Sequence, residues 1–385
     1  MSHPIDLDHL PIFDHHAHSL LRQPPVSPES WLRFFSEASH PDLIRQHVPN
    51  TLFYRYAVKA LAGFLGCQPT PEAILTERIR LGEPLWAQRL VDDANIAAML
   101  IDYGFRGSEN YDHAEMKTLL PCRLDPILRL ETLAQELVLQ LDTLDQLLDA
   151  FSAQLEAARS QGYLALKSII AYRTGLQIEE WSSLEVEAAF QAAKEQARGL
   201  GLVRLAHKPL NDMLVLRALQ IANRQRLPFQ FHTGYGDNDI DMRLVNPLHF
   251  RPLLHNEKYR DVPLVILHMG YPYVRESAYL SSVYLNVFVD LSLAIPFAVS
   301  EAALLLTQLF GLAPTSKLLY ASDGFSVPEL FWLGAKVGRQ TLSQVLGELV
   351  ESQILSQAEA LAVAAQVLYR NACDLYGVAL PDVNE

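Results

Sequence analysis

The chain has 385 residues, half of them hydrophobic and 19% charged, a composition that excludes a largely disordered protein and supplies enough apolar side chains for a large core. Its formal net charge of −13, from 31 basic and 44 acidic residues, repels phosphate backbones, and no Lys/Arg cluster offsets it locally, so nucleic acid is not an expected partner. Cys67, Cys122 and Cys373 are few, odd in number and far apart, which argues against a disulfide framework and for a reducing, cytoplasmic setting.

In chain order, "MSHPIDLDHLPIF" has neither a basic n-region nor a continuous apolar h-region, so no cleavable signal is read there. The first strand is "PIFDHH" at 11–16, leading into Ala17 and His18. Residues 27–92 then read as a helical insertion: Ser27-Pro28-Glu29 and Thr70-Pro71-Glu72 each place a capping hydroxyl before a proline and an acidic residue. Seven more apolar runs follow: "NIAAMLID" (95–102), "DPILRLE" (125–131), "YLALKSII" (163–170), "FQFHTG" (229–234), "PLVILHMG" (263–270), "NVFVDLSL" (286–293) and "KLLYASDG" (317–324). Helical patterns separate them, and the link after the fourth run is long enough for two helices, 183–200 and 211–226. The longest apolar tract, 291–312, is broken by Pro296 and Glu301, so no membrane span is expected.

Continuous apolar strands alternating with helices predict a parallel sheet buried on both faces. Eight such units favour an α/β fold of the (β/α)8 TIM-barrel type over an open doubly wound sheet. The barrel is then 1–26 and 93–385, with 27–92 inserted after strand 1.

Polar, metal-capable side chains fall at the C-terminal ends of strands one, four, five, six and eight: His16 and His18, Lys167, His232, His268 and Asp323. In a barrel these ends converge on one mouth. Residues two apart on a strand share a face, so Asp14, His16 and His18 point one way and His15 the other. Imidazole and carboxylate suit zinc and related divalent ions. A lone histidine after an apolar strand is more often a hydrogen-bonded core residue, but four histidines and an aspartate at the same end of different elements make a metal site the better reading. His207, His249 and His255 have no partner pattern and read as loop or packing residues. The carboxylates of the acidic segment after strand five read as solvated.

"FDHHAH", "LKSIIAYRTG", "FHTGYGD", "LHMGYPY" and "YASDG" resemble, in order, the metal-binding signatures of the amidohydrolase superfamily, in particular its amidohydrolase 2 branch of TIM-barrel hydrolases and decarboxylases; "YRNACDLYGV" is similar to the branch's last helix. Within the branch, the chain most resembles proteins related to the amidohydrolase domain of glutamine synthetase fusions. The resemblance implies that His16, His18 and Asp323 bind a first metal, that His232 and His268 fall where binuclear members bind a second, and that Lys167 matches the lysine that becomes carboxylated and bridges the two. With Lys167 unmodified, a mononuclear site of His16, His18, His232 and Asp323 is implied, leaving His268 as acid or base.

The expected cofactor is Zn2+, as one or two divalent ions. Such an ion lowers the pKa of bound water from 15.7 toward 7 and polarises a carbonyl, while Asp323 takes the water's proton and passes it to the leaving group. The expected function is a hydrolase cleaving a C–N, amide-type bond of a small molecule by metal-activated hydroxide. A zinc-dependent nonoxidative decarboxylase is the second reading, and a noncatalytic binding protein on a degenerate barrel the third. Arg173 and Tyr172, just past strand four, and Tyr271, after His268, are the candidate substrate-binding residues; an arginine there can clamp a carboxylate bidentately. The apolar insertion, with Trp31, Phe34, Phe35, Phe53 and Tyr54, has two uses open to it: covering the mouth, or meeting a second copy in a homo-oligomer.

Overall fold

The computed structural model describes residues 4–105 and 107–380. Eight strands form at the eight apolar runs: β1 (Ile12–His18), β2 (Ile96–Asp102), β3 (Arg123–Arg129), β4 (Ala165–Ser168), β5 (Phe229–Phe231), β6 (Leu264–Ile266), β7 (Val287–Asp290) and β8 (Leu318–Leu319). They make one eight-stranded sheet in sequence order, with parallel ladders from β1 to β2 and successively from β3 to β7. Helices fill the connections. This is the (β/α)8 TIM-barrel topology, and the burial of every residue of β1, β4, β5 and β6 is why those strands read as apolar runs without alternation.

The chain packs as two compact units, one comprising Met1–Leu124, Gly236–Asn238 and Asp290–Glu385, the other Asp125–Tyr235 and Asp239–Val289. In the first, the stretch between β1 and β2 carries helices at Pro28–Leu32, Pro41–His47, Leu52–Leu65, Pro71–Leu81 and Glu83–Asp93. Ser27 and Thr70 are N-caps, each accepting a hydrogen bond from a backbone N–H three residues on. Trp31, Phe34, Phe35, Phe53 and Tyr54 are at most 7% exposed. Phe35 lies 4.6 Å from Trp31 and 5.2 Å from Tyr54, ring to ring, and Phe53 packs on Phe297 at 4.8 Å. These rings therefore form a core inside the unit. The Trp31 indole N–H donates to Glu329, which also pairs with buried Arg78 at 3.1 Å, tying these helices to the long helix Pro328–Glu351.

In the second unit, the long link after β4 holds two helices, Ser183–Leu200 and Lys208–Gln225, close to the predicted spans. Ser182 caps the first reciprocally with Glu185. One expectation is corrected: Glu131 does not close β3, which ends at Arg129. It sits in the first turn of the helix Leu130–Gln140, where its Oε1 accepts from the Ser168 hydroxyl and the Ile169 N–H.

Candidate metal centre

In the first unit, His16 Nε2 and His18 Nε2 each lie 3.2 Å from Asp323 Oδ1. Donor atoms of the three residues all fall within 4.8 Å of one another. Alternation along β1 brings His16 and His18 to the same place, and their rings meet edge to face at 5.1 Å. His15 turns to the other side, where Nε2 faces Asp290 at 3.2 Å and Nδ1 meets the Tyr376 hydroxyl at 3.1 Å. Asp14 shares the face of His16 and His18 but is spent on positioning. Its carboxylate accepts from the Ser322 N–H at 3.0 Å and from the Ser322 hydroxyl, and Ser322 Oγ accepts from the Gly324 N–H. Burial pushes the Asp14 carboxyl up to about 7 despite those bonds. Asp323 itself lies beyond β8 with φ +53°, a left-handed conformation held by the Asp323 N–H donating to the His16 carbonyl.

This donor set fits a metal. His18 Nδ1 is 3.2 Å from the Asp102 carbonyl, which can only accept, so Nδ1 carries the proton in the neutral ring and Nε2 presents a lone pair to the Asp323 carboxylate. Two lone-pair bearers at 3.2 Å call for a cation between them, either a metal ion or a second proton. The backbone of Asp102 is a contact that sequence reasoning missed, since a carbonyl leaves no residue signature. Glu37 was missed as well. Half-buried in the loop after the first helical turns, its carboxyl is pushed up to about 8 by burial and then by the negative charges of Asp323 and Asp237.

The other predicted ligands lie in the second unit. Lys167 is 2% exposed in β4, with Arg129 and Gln230 as its register partners. His232 and His268 form a pair, Nδ1 to Nε2 at 2.9 Å, and His232 Nε2 is 3.1 Å from the Tyr235 carbonyl. His268 sits two residues past β6 in a left-handed turn, with φ +63°, +56° and +62° at His268, Met269 and Gly270. Strain of this kind persists only where surrounding structure fixes it and clusters at functional sites. The Tyr172 ring packs against His232 with centroids 4.3 Å apart and planes tilted by 50°. Tyr271 is half-buried, and its carbonyl accepts from the Tyr235 N–H at 2.7 Å. The predicted set is thus seen as a converged trio, a histidine pair and a buried lysine. Of the histidines without a pattern, His255 meets the Tyr284 hydroxyl at 2.8 Å and His249 the Arg243 carbonyl at 3.3 Å, both exposed contacts. Asp239 and Asp241 of the acidic loop pair with Arg204 and Arg243.

A (β/α)8 fold with two imidazoles from β1 and a carboxylate from beyond β8 is the arrangement of the metal-dependent amidohydrolase superfamily. The chain belongs to that family, in its amidohydrolase 2 branch: the amidohydrolase family model matches residues 180–378, more than half of the sequence. A candidate metal-dependent hydrolase from Lactobacillus casei is 30% identical, with a TM-score of 0.87 over 96% of both chains. Protein fluG of Emericella nidulans is 28% identical over 95% of this chain; the match spans 45% of that protein's length. A uronate isomerase from Thermotoga maritima, 14% identical over 95% of this chain and 94% of its own, has a TM-score of 0.66 and shares the fold. No helix among the described residues is long and apolar enough to cross a membrane.

Proposed function

We propose that the protein is a metal-dependent hydrolase that cleaves a C–N, amide-type bond of a small molecule. The observation that carries this reading is the convergence of His16 and His18 on Asp323 at 3.2 Å each. An ion held there, with zinc the best match to two imidazoles and a carboxylate, supplies Lewis acidity that polarises a carbonyl and acidifies water. Asp323 then has two tasks, as ligand and as the base that takes the water's proton. The Asp102 carbonyl keeps His18 in the tautomer that ligates. His268 serves as the acid that returns a proton to the leaving nitrogen, consistent with its Nε2 bonding to His232 Nδ1. Lys167 and His232 are assigned to metal binding from their places at the ends of β4 and β5 and from the family's signatures, and carboxylation of Lys167 would accompany a second ion. Tyr172 and Tyr271 contact or follow the histidine pair and are assigned to substrate. With three free cysteines, the reading places the enzyme in the cytoplasm.

One observation favours the second reading, a zinc-dependent nonoxidative decarboxylase. The converged donors are three, and the His232–His268 pair is internally bonded, which suits a single ion.

Metal counting per chain combined with a panel of N-acyl amino acids and carboxylic acids separates the two, by release of amine or of carbon dioxide. Asp323→Asn is expected to abolish amine release with the fold retained. Amine release unchanged in that variant, or carbon dioxide as the product, would overturn the hydrolase assignment.

A further inference from the structure

Arg173 is half-buried just past β4, and its guanidinium is poorly satisfied. Nε is shielded from water with no hydrogen-bond partner, and its one bond runs from Nη1 to the Tyr172 carbonyl at a long 3.5 Å. Among the described residues it forms no ion pair. The nearest acids are engaged elsewhere: Glu131 Oε1 accepts from Ser168 and Ile169, and Asp239 holds Arg204 at 2.8 Å. Burial first, and then the like charges of Arg204 and Arg129, hold its guanidinium below its ordinary pKa, while Glu131 and Asp239 attract it without pairing with it. A cation partly removed from water, with no carboxylate in direct contact and one hydrogen bond at 3.5 Å, is costly and leaves an unfilled demand for an anion. Its place says which anion. Tyr172, the preceding residue, packs its ring against His232, which bonds His268, so a group held on Arg173 lies beside the imidazole pair assigned above to the chemistry.

We propose that Arg173 receives a carboxylate of the substrate, which makes the substrate class amides that carry a free carboxylate, and that Arg129, 9% exposed at the end of β3, strengthens the positive field without being the clamp. The fork geometry of a guanidinium matches a carboxylate bidentately, which a lysine does not. The class of reaction rests on the hydrolase reading; the anion site does not.

The test is therefore binding. Metal-loaded full-length protein is titrated calorimetrically with succinate and with its neutral diamide, succinamide. Succinate is expected to bind and succinamide not, with Arg173→Met weakening succinate by about tenfold or more and Arg173→Lys by several-fold through loss of the fork. If Arg173→Met fails to fold, Arg173→Lys carries the comparison. Equal binding of succinate and succinamide, no succinate binding, or succinate affinity unchanged in the variants overturns the proposal. Succinate bound in an Arg173-dependent way by a wild type that hydrolyses no N-acyl amino acid tells failure of the chemistry from failure of the anion site.

Discussion

Gly234, two residues after His232, offers the sharpest test of how the second unit's histidines are held. Its φ is +66°, and a Cβ added there would sit 2.2 Å from the Tyr271 carbonyl oxygen and 2.5 Å from the Gly270 carbonyl carbon. Those atoms belong to the turn that carries His268, and they are backbone, so no rotamer change relieves the overlap. Gly234→Ala costs about 1–2 kcal/mol for the left-handed conformation and about 1–3 kcal/mol for overpacking against the main chain. At about 2.1 cal/mol/K per residue, a 385-residue chain loses about one degree of Tm for every 0.8 kcal/mol. The expected fall is then about 3–6 °C by scanning calorimetry, with activity falling further because the His232–His268 separation of 2.9 Å must open. Gly66→Ala is the control: φ is +69°, but nothing lies within 4 Å of the added Cβ. It pays the conformational cost alone and falls about 1–2 °C. If the two variants melt together and keep equal activity, the close approach at Gly234 does not constrain the pair, and the reasoning fails.

Ser322→Ala removes the hydroxyl that donates to Asp14 and accepts from the Gly324 N–H, leaving two buried groups each short of a partner at a cost of about 1–3 kcal/mol apiece. Metal retained per chain is expected to drop with stability, and wild-type retention would show that Asp14 does not hold the Asp323 turn. For Glu131, burial holds the carboxyl above its ordinary 4.5, so the folded state binds the proton more tightly than the unfolded chain does. Stability from this group is thus lost as pH rises from about 4.5 through the raised value. Glu131→Gln lacks that slope and should gain on the wild type over the same range in denaturant titrations, whereas parallel curves at all pH values would remove burial as the cause.

The strands were legible because their burial on both faces imposes unbroken apolar runs, and the helix Ser183–Leu200 because its cap is written as Ser182 and Glu185. His16, His18, His232 and His268 stood out as candidate ligands because they lie at or just past the ends of those runs. What escaped reading acts through main chain or across long separations. Asp102 holds His18 by a carbonyl, Glu37 comes from a loop with no pattern, and Glu131 was misplaced because "LRLE" continues the apolar run across the boundary between β3 and the next helix. The aromatic residues of 27–92 were recognised but not their use, since composition cannot say whether exposed partners or one another will cover them.

The same distinction bears on how the metal site can be tested. β8 has two residues, yet the segment after it stays registered to β1 by main-chain bonds: His15 N–H to the Tyr320 carbonyl, Asp323 N–H to the His16 carbonyl, His18 N–H to the Gly324 carbonyl and Ser326 N–H to the Ser19 carbonyl. None of these uses a ligand side chain. Gly324 seals the arrangement, since a Cβ there would lie 2.3 Å from the Phe331 ring. Main-chain bonds therefore set where Asp323 and the two histidines stand, independently of their side chains. It follows that exchanging a ligand for a near-isostere, as in Asp323→Asn, changes the chemistry at the site while leaving its scaffold in place, whereas Ser322→Ala disturbs the scaffold and leaves every ligand present.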